Sequence, residues 1–274
     1  MRREKGMEEL DTLSAHVEDL GDRAEKGVLC STSFLSLREQ AQLSRSFPGL
    51  LASRGVFDGG FAGAERKKLY LLPDYLTAML DSPVGKLPRE ALLPVLGEEW
   101  QADIAVLRVD GSGYRKLDHR DFMGALLGMG IERQVVGDIV VIDDDTAYVV
   151  CERKIAAYLL NEWKTVGSDT VKVAAVELPA DFCPERRFLA IHDTVASGRL
   201  DCIVAALTNL SREKAQNLIR SGMVEVDHLP EERVDREVPA GAVLSLRGFG
   251  RFDVLGMEGQ TKKGRFRLSA RKYL

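Results

Sequence analysis

The sequence has no uninterrupted apolar run of about 18 residues, the length that a membrane-spanning helix needs. Its first six residues, Met1–Gly6, are charged and no apolar stretch follows them, so the pattern of a secretory signal is missing too. These two absences predict a cytoplasmic protein that does not contact a membrane.

Cysteine is scarce, with four residues scattered along the chain: Cys30, Cys151, Cys183 and Cys202. A disulfide framework or a zinc site needs closely spaced cysteines or histidines, and the sequence contains no such spacing. The four histidines show no arrangement that would suit a nucleophile or a general base. We therefore predict reduced and mostly buried thiols, no metal, no small-molecule cofactor, no catalytic residues and no enzymatic activity.

The chain is nevertheless able to fold, because 45% of its 274 residues are hydrophobic. This size and composition predict two or three compact units. The net charge of -4 conceals a gradient: residues 186–274 contain 16 basic and 11 acidic residues, a net +5, against -9 for the residues before them. A basic end on an acidic body favours a polyanion-binding surface, although a charge run alone is more often a solvated face.

The first part, residues 1–98, is predicted to be an α+β portion. Apolar residues three or four apart predict an amphipathic helix over Glu4–Lys26. Ser36 and Glu39 have the spacing of a capping box at the start of a second helix. A loop is expected over Gly55–Gly63, followed by a buried strand over Lys68–Leu72.

The second part, residues 99–180, alternates in the order βαββαβ. The predicted elements are strand Ile104–Val109, helix His119–Met129, strand Asp138–Ile142, strand Ala147–Cys151, helix Ile155–Trp163 and strand Thr170–Glu177. Asp143, Asp144 and Asp145 suit a turn between the middle strands. This order predicts a ferredoxin-like sheet, as in RNA-recognition-motif domains. No aromatic RNP signature is present on the predicted strands. This part is therefore predicted to be either a scaffold without an RNA surface of its own or an RNA-binding domain. Leu178–Pro184 is predicted to be a linker.

The third part, residues 186–274, carries a helix that begins at Ser211 as N-cap and stops before Gly222. Ala215, Leu218 and Ile219 share one face of this helix, whereas Arg212, Gln216 and Arg220 share another. One face packs and the other presents guanidinium groups near a helix N-terminus, which favours anions. This pattern predicts that the helix binds the phosphate backbone of RNA. Strands are expected over Met223–Val226 and Val243–Arg247.

Further cations extend the predicted RNA-binding surface. Phe249, between Arg247 and Arg251, is expected either to stack on a base or to pack into the core of a hairpin turn. Arg199 and Asp201 are expected either to contact RNA or to form an ion pair, the second being favoured for Asp201. The complete set of predicted RNA-binding residues is Arg199, Ser211, Arg212, Gln216, Arg220, Arg247, Arg251, Lys262, Lys263 and Arg265.

One string of this sequence resembles the hallmark of the S-four RNA-binding domain. It consists of Arg199-Leu200-Asp201, then Ser211-Arg212 with Ala215, Leu218, Ile219, Gly222, Val224 and Val226. Its usual Asn-Gly turn is Asp227-His228 here, and its usual Gly-Asp is Gly241-Ala242. The sequence also resembles the YlmH family of bacterial S-four proteins, in the blocks Gly59–Lys67, His119–Leu126, Gly137-Asp138 and Thr261–Arg265. That resemblance implies a protein that binds ribosomal RNA and tRNA on the large ribosomal subunit, in quality control of stalled chains.

Two other functions stay open. The first is an RNA-modifying enzyme similar to pseudouridine synthases, docked by the S-four domain. His119-Arg120-Asp121 is similar to their catalytic segment and to the kinase catalytic loop, but an apolar helical run follows it, so we expect Asp121 at a helix start. The second is a protein-binding adaptor linked to cell division, which an exposed apolar patch would favour.

Overall fold

The computed structural model describes residues 2–80, 82, 84, 87, 92, 103–179, 181–262 and 264–274. The chain forms two compact units, Met1–Pro184 (unit 1) and Glu185–Leu274 (unit 2). The predicted boundary at residues 98 and 99 lies outside the described residues. In the part that is described, no helix combines the length and the apolar character needed to cross a membrane.

Unit 1 begins with helices around a short antiparallel sheet of order β1-β3-β2. The elements are α1 Arg2–Glu25, β1 Cys30–Ser31, α2 Leu37–Ser46, α3 Pro48–Arg54, β2 Gly55–Asp58, β3 Lys68–Leu71 and α4 Asp74–Thr77. The predicted capping box is confirmed: Ser36 Oγ accepts the Glu39 N–H at 3.3 Å, and Glu39 Oε2 accepts the Ser36 N–H at 2.7 Å. These bonds satisfy backbone donors that have no partner within the helix.

The loop predicted over Gly55–Gly63 is wrong in its first half, because Gly55–Asp58 forms β2. This strand pairs with β3 in the register Val56 to Tyr70 and Phe57 to Leu69. Its glycine suggested a loop, but a Cβ at Gly55 would lie 2.6 Å from a methyl carbon of Leu51. The glycine therefore permits close packing of β2 against α3.

A four-stranded sheet forms the second half of unit 1, and each element predicted between residues 101 and 177 has a counterpart in it. The elements are β4 Ile104–Asp110, α5 His119–Gly128, a 3-10 turn Arg133–Val135, β5 Val136–Val141, β6 Thr146–Glu152, α6 Arg153–Glu162, the pair β7 Thr165–Val166 and β8 Asp169–Thr170, and β9 Lys172–Val176. The strand order is β5-β6-β4-β9 and every neighbouring pair is antiparallel. Asp143 Oδ1 accepts the Thr146 N–H at 2.9 Å in the predicted turn.

The helices cover one face of this sheet, and other residues of unit 1 cover part of the opposite face. There Ile104 and Val150 pack in one buried cluster with Phe34 and Phe61. Phe182, from the predicted linker, meets the Phe61 ring edge-on at 5.4 Å and the Tyr148 ring at 5.5 Å. Protein side chains thus occupy part of the face that an RNA-recognition-motif sheet offers to bases.

Two blocks that carry the family resemblance contact each other in unit 1. The Asp138 carboxylate accepts the backbone N–H groups of Glu65 and Arg66, at 2.6 and 2.9 Å. The Arg66 guanidinium donates to the carbonyls of Phe34 at 2.8 Å and Val136 at 2.9 Å. Burial lowers the pKa of Arg66 from its ordinary value. These bonds fasten the N-terminal portion to the edge of the four-stranded sheet.

Unit 2 is a six-stranded antiparallel sheet with two helices. The elements are β10 Phe188–Val195, α7 Leu200–Thr208, α8 Arg212–Arg220, β11 Val224–Val226, β12 Leu229–Pro230, β13 Val243–Leu246, β14 Gly250–Gln260 and β15 Phe266–Tyr273, and the strand order is β10-β15-β14-β13-β11-β12. The predictions of β11 and β13 are confirmed. Strands β10, β12, β14 and β15 were not predicted.

Alternation along β15 shows how the sheet of unit 2 is oriented. Leu268 and Ala270 are 1% exposed and belong to the core that contains Ile203 of α7 and Ile219 of α8. Arg267 and Ser269, which alternate with them, point to the opposite face, since successive side chains alternate across a strand. Unit 2 therefore has a helix side and an open sheet face.

Candidate nucleic-acid interface

Helix α8 has the local structure that its sequence predicts. Ser211 is the N-cap, with its hydroxyl accepting the Lys214 N–H at 3.4 Å. Ala215 and Ile219 are fully buried and Leu218 packs against the same core. At the other end, Gly222 has a φ of +69°, a left-handed conformation that glycine adopts without steric cost. The apolar face and both ends of the predicted helix are confirmed.

A buried carboxylate joins the two helices of unit 2. Asp201, in the first turn of α7, is 0% exposed, and its Oδ2 accepts hydrogen bonds from Arg212 Nε at 2.9 Å and Gln216 Nε2 at 2.7 Å. Arg199 Nε donates to its Oδ1 at 3.2 Å, which confirms the ion pair expected between Arg199 and Asp201. Burial alone would raise the pKa of Asp201, but the hydrogen bonds from Arg199, Arg212 and Gln216 lower it well below its ordinary value.

This arrangement fixes three of the predicted RNA-binding residues at one place. The side chains of Arg199 and Arg212 stay 35% and 54% exposed, although each guanidinium is bonded to Asp201. Gln216 is half-buried and its amide nitrogen is used by Asp201. Arg220 is exposed two turns further along α8, about 12 Å from Arg212 along the helix axis.

Arg212 and Arg265 line the same groove, with a volume of about 360 Å³, between α7 and the end of β10. Arg265 is exposed in the β14–β15 turn and donates to the carbonyl of Thr194. Lys262 is exposed in the same turn, and Lys263 lies outside the described residues. The turn thus brings at least one of its predicted cations to the helix pair.

Arg247 and Arg251 lie elsewhere. They flank the β13–β14 turn, whereas Arg265 follows the far end of β14, an 11-residue strand of about 35 Å. Gly248 and Gly250 in this turn have φ values of +86° and +112°. Phe249 packs against the core of unit 2, which confirms the hairpin interpretation of this residue. The ten predicted residues therefore do not form one patch.

The turn at Asp227-His228 keeps its shape without asparagine or glycine. Asp227 and His228 have φ values of 50° and 67°, the pair of left-handed residues that an Asn-Gly hairpin turn adopts. The Asp227 carboxylate also accepts the Val243 N–H at 2.9 Å. The departure from the S-four hallmark is accommodated by this geometry.

Asp121, the acid of the triplet that suggested an enzyme, lies at a helix start. Asp121 is the third residue of α5 in a capping box with Asp118, as expected for a helix start, and its pKa is lowered by the backbone hydrogen bond from Asp118. In the core of unit 1, Lys68 Nζ lies 2.6 Å from Asp103 Oδ2 and 3.6 Å from Glu152 Oε1. These three buried or half-buried groups satisfy one another.

Known proteins resemble the chain over most of its length. Residues 98–180 match the family model described as "Putative RNA-binding domain in YlmH". The ribosome-associated protein quality control protein P2 of Bacillus subtilis (strain 168) is 31% identical over 239 residues, which cover 87% of this chain and 85% of that protein. A solved structure, the cell division protein ylmH from Streptococcus pneumoniae, aligns with 64% of this chain and 92% of its own at 17% identity, with a TM-score of 0.44. Because the 31% identity extends over most of both chains, the protein belongs to the YlmH family, as a homologue of ribosome-associated protein quality control protein P2 with an RNA-binding domain.

Proposed function

We propose that this cytoplasmic protein binds ribosomal RNA and tRNA on the large ribosomal subunit, in the quality control of stalled nascent chains, and that it catalyses no reaction. Its relative from Bacillus subtilis is named for ribosome-associated quality control. The strand order of the four-stranded sheet in unit 1 is that of ferredoxin-like domains, and residues 98–180 match an RNA-binding domain. We assign unit 2 to the S-four class and propose that it provides the main RNA-binding surface.

The observation that carries this proposal is the Asp201 cluster, formed by Asp201 with Arg199, Arg212 and Gln216. A long arginine side chain loses rotational freedom when it binds a phosphate, and that loss opposes binding. Asp201 holds Arg212 by its Nε at 2.9 Å, so much of this loss has already occurred in the folded protein. The outer edge of the guanidinium stays exposed beside the N-terminus of α8, where an anion is favoured.

The test is co-sedimentation of the full-length protein with purified large ribosomal subunits over a salt series. Arg212 is a poor probe, since its removal also disturbs a buried carboxylate. We use Arg220→Ala together with Arg265→Ala, two exposed cations of unit 2, and as a matched control Lys214→Ala with Arg267→Ala, which removes the same charge from other faces.

We expect the wild type to bind large subunits with a salt slope that becomes less steep by about 1.5 in the Arg220/Arg265 variant, since each phosphate contact contributes about 0.7–0.9. The control variant should keep most of the wild-type slope. Wild-type protein that fails to sediment with large subunits, or equal slopes in the two double variants, would contradict the proposal.

A further inference from the structure

The open sheet face of unit 2, on the side away from α7 and α8, carries a pair of aromatic rings. Phe188 of β10 and Tyr273 of β15 are partners in register, and their ring centroids lie 4.9 Å apart at an angle of 67°. Both side chains are half-buried. Their edge-to-face packing holds the two rings together at one end of this sheet face.

Each ring carries a guanidinium. Arg271 lies over Phe188 and Arg251 lies over Tyr273, both at 3.9 Å from the ring centroid. Arg271 is also held by Asp253, with Nε 2.7 Å from Oδ2 and 40% of the side chain exposed. A guanidinium stacked on a ring is itself a planar group on which a base can stack. We name these four residues, Phe188, Tyr273, Arg251 and Arg271, the stacked cluster.

Further positive charge lies beside the stacked cluster. Arg186 is close enough to Tyr273 to act on its hydroxyl electrostatically, and Arg247 is exposed in the turn that precedes β14. Asp253, which binds Arg271, and Glu225, two strands from Arg251, are carboxylates on the same face. The cations exceed these carboxylates, so this end of the sheet attracts a polyanion.

We propose that the stacked cluster is a second RNA contact of this protein, which takes unpaired bases of a single-stranded segment. Planar rings and stacked guanidinium groups bind the flat faces of bases, and surrounding cations bind the phosphates between them. A double helix cannot use this surface in the same way, because its bases are stacked inside the duplex. Because the two arginines lie over the rings, this surface offers planar charged groups more than the apolar area that a protein partner would bury.

The stacked cluster is separate from the Asp201 cluster. Leu268 and Ala270 of β15 point to the core under α7 and α8, so Arg271 and Tyr273, one and three residues beyond Ala270, point away from the helices. The inference rests on the proposed function only for the class of ligand. The two surfaces can therefore be altered independently.

The experiment measures fluorescence anisotropy of the full-length protein with a 5′-labelled 12-nucleotide oligouridylate and with a hairpin RNA that has a short closed loop. The first variant is Phe188→Leu with Tyr273→Leu, which keeps apolar bulk and removes both rings. The second is Arg251→Lys, which keeps the charge, removes the planar group and leaves the strand side chain of similar length. The controls are Tyr114→Leu, an 83% exposed tyrosine of unit 1, and Arg267→Ala, on the same face as the stacked cluster but near the far end of β15.

We expect oligouridylate binding to weaken about tenfold or more in the double variant and several-fold in Arg251→Lys, because stacking on an aromatic ring contributes strongly for each base. Both controls should stay within about threefold of the wild type, and hairpin binding should change less than oligouridylate binding. If Arg251→Lys and the folded double variant bind oligouridylate as the wild type does, or if the wild type does not bind it, the inference is wrong.

Large-subunit co-sedimentation of the same variants separates this inference from the proposed function. A wild type that binds oligouridylate through the stacked cluster but does not sediment with large subunits would overturn the proposed function and keep the inference. Sedimentation that depends on Arg220 and Arg265, with unchanged oligouridylate binding in the stacked-cluster variants, would do the reverse.

Discussion

The substitution Asp201→Asn tests whether one buried carboxylate holds the helix pair of unit 2 together. Asn preserves the shape of the side chain and can still accept hydrogen bonds from Arg212 and Gln216 through its oxygen. Its NH₂ group, however, replaces the oxygen that accepts from Arg199 at 3.2 Å, so two donors face each other. The variant loses the negative charge and at least one charge-assisted hydrogen bond.

The magnitude follows from burial. Breaking a buried ion pair costs about 3–5 kcal/mol. Asp201 is fully buried, but Arg199 and Arg212 are 35% and 54% exposed and can be hydrated after the change. We therefore expect a loss of about 3 kcal/mol, at the lower end of that range, which corresponds to roughly a hundredfold increase in the open population.

Hydrogen exchange of the full-length protein measures this loss locally, since the amides of Ala215 and Ile219 report the opening of α8. The exchange rate of these amides should rise about a hundredfold in Asp201→Asn. The exposed carboxylate variant Glu258→Gln makes the same charge change in unit 2 and should leave them unchanged. Exchange in Asp201→Asn within about threefold of the wild type would refute the role assigned to the carboxylate.

Three further predictions concern helix ends and one buried acid. Gly222→Ala should destabilise unit 2 by about 1–2 kcal/mol, because alanine is strained at a φ of +69°. Gly124→Ala, inside α5 with open space around it, should instead stabilise unit 1 by about 0.5–1 kcal/mol. Urea unfolding in which both variants change stability in the same direction would contradict this. Ser36→Ala should lower the unfolding free energy of unit 1 by about 1 kcal/mol, measured by urea unfolding, and an unchanged midpoint would show that the cap contributes nothing. Burial opposes ionisation of Glu231, but hydrogen bonds from Arg233 and Arg236 lower its pKa from 4.5 to about 2. The stability that the ionised Glu231 contributes is complete above pH 4.5 and is lost as the pH falls toward 2. In acid titrations of unfolding, Glu231→Gln should therefore lose less stability than the wild type over that range. An identical pH profile for Glu231→Gln would argue against that linkage.

The sequence by itself predicted the local structure of this protein where signals are short-range. The Ser36 and Ser211 caps, the stop at Gly222 and the alternation of strands and helices between residues 101 and 177 depend on neighbouring residues, so they can be read from spacing. The resemblance to the YlmH family was also present in the sequence, in the blocks around Arg66, Asp121 and Asp138, and the comparisons confirm it. The β2 strand escaped prediction, since its strand conformation depends on pairing with β3, in which Gly55 lies opposite Leu71, 16 residues further along the chain.

The tertiary structure decided what each charged residue can do. Arg212, Gln216 and Arg220 have one helical spacing, yet a carboxylate 11 residues before Arg212 fastens the first two and leaves the third exposed. Likewise, the cations near the end of the chain read as one basic run, but the long β14–β15 hairpin separates Arg251 from Arg265 and stacks the former on Tyr273. Charge and helical period are properties of a sequence, whereas the partner of a charge is set by which strands and helices meet, and that depends on the packing of the whole unit.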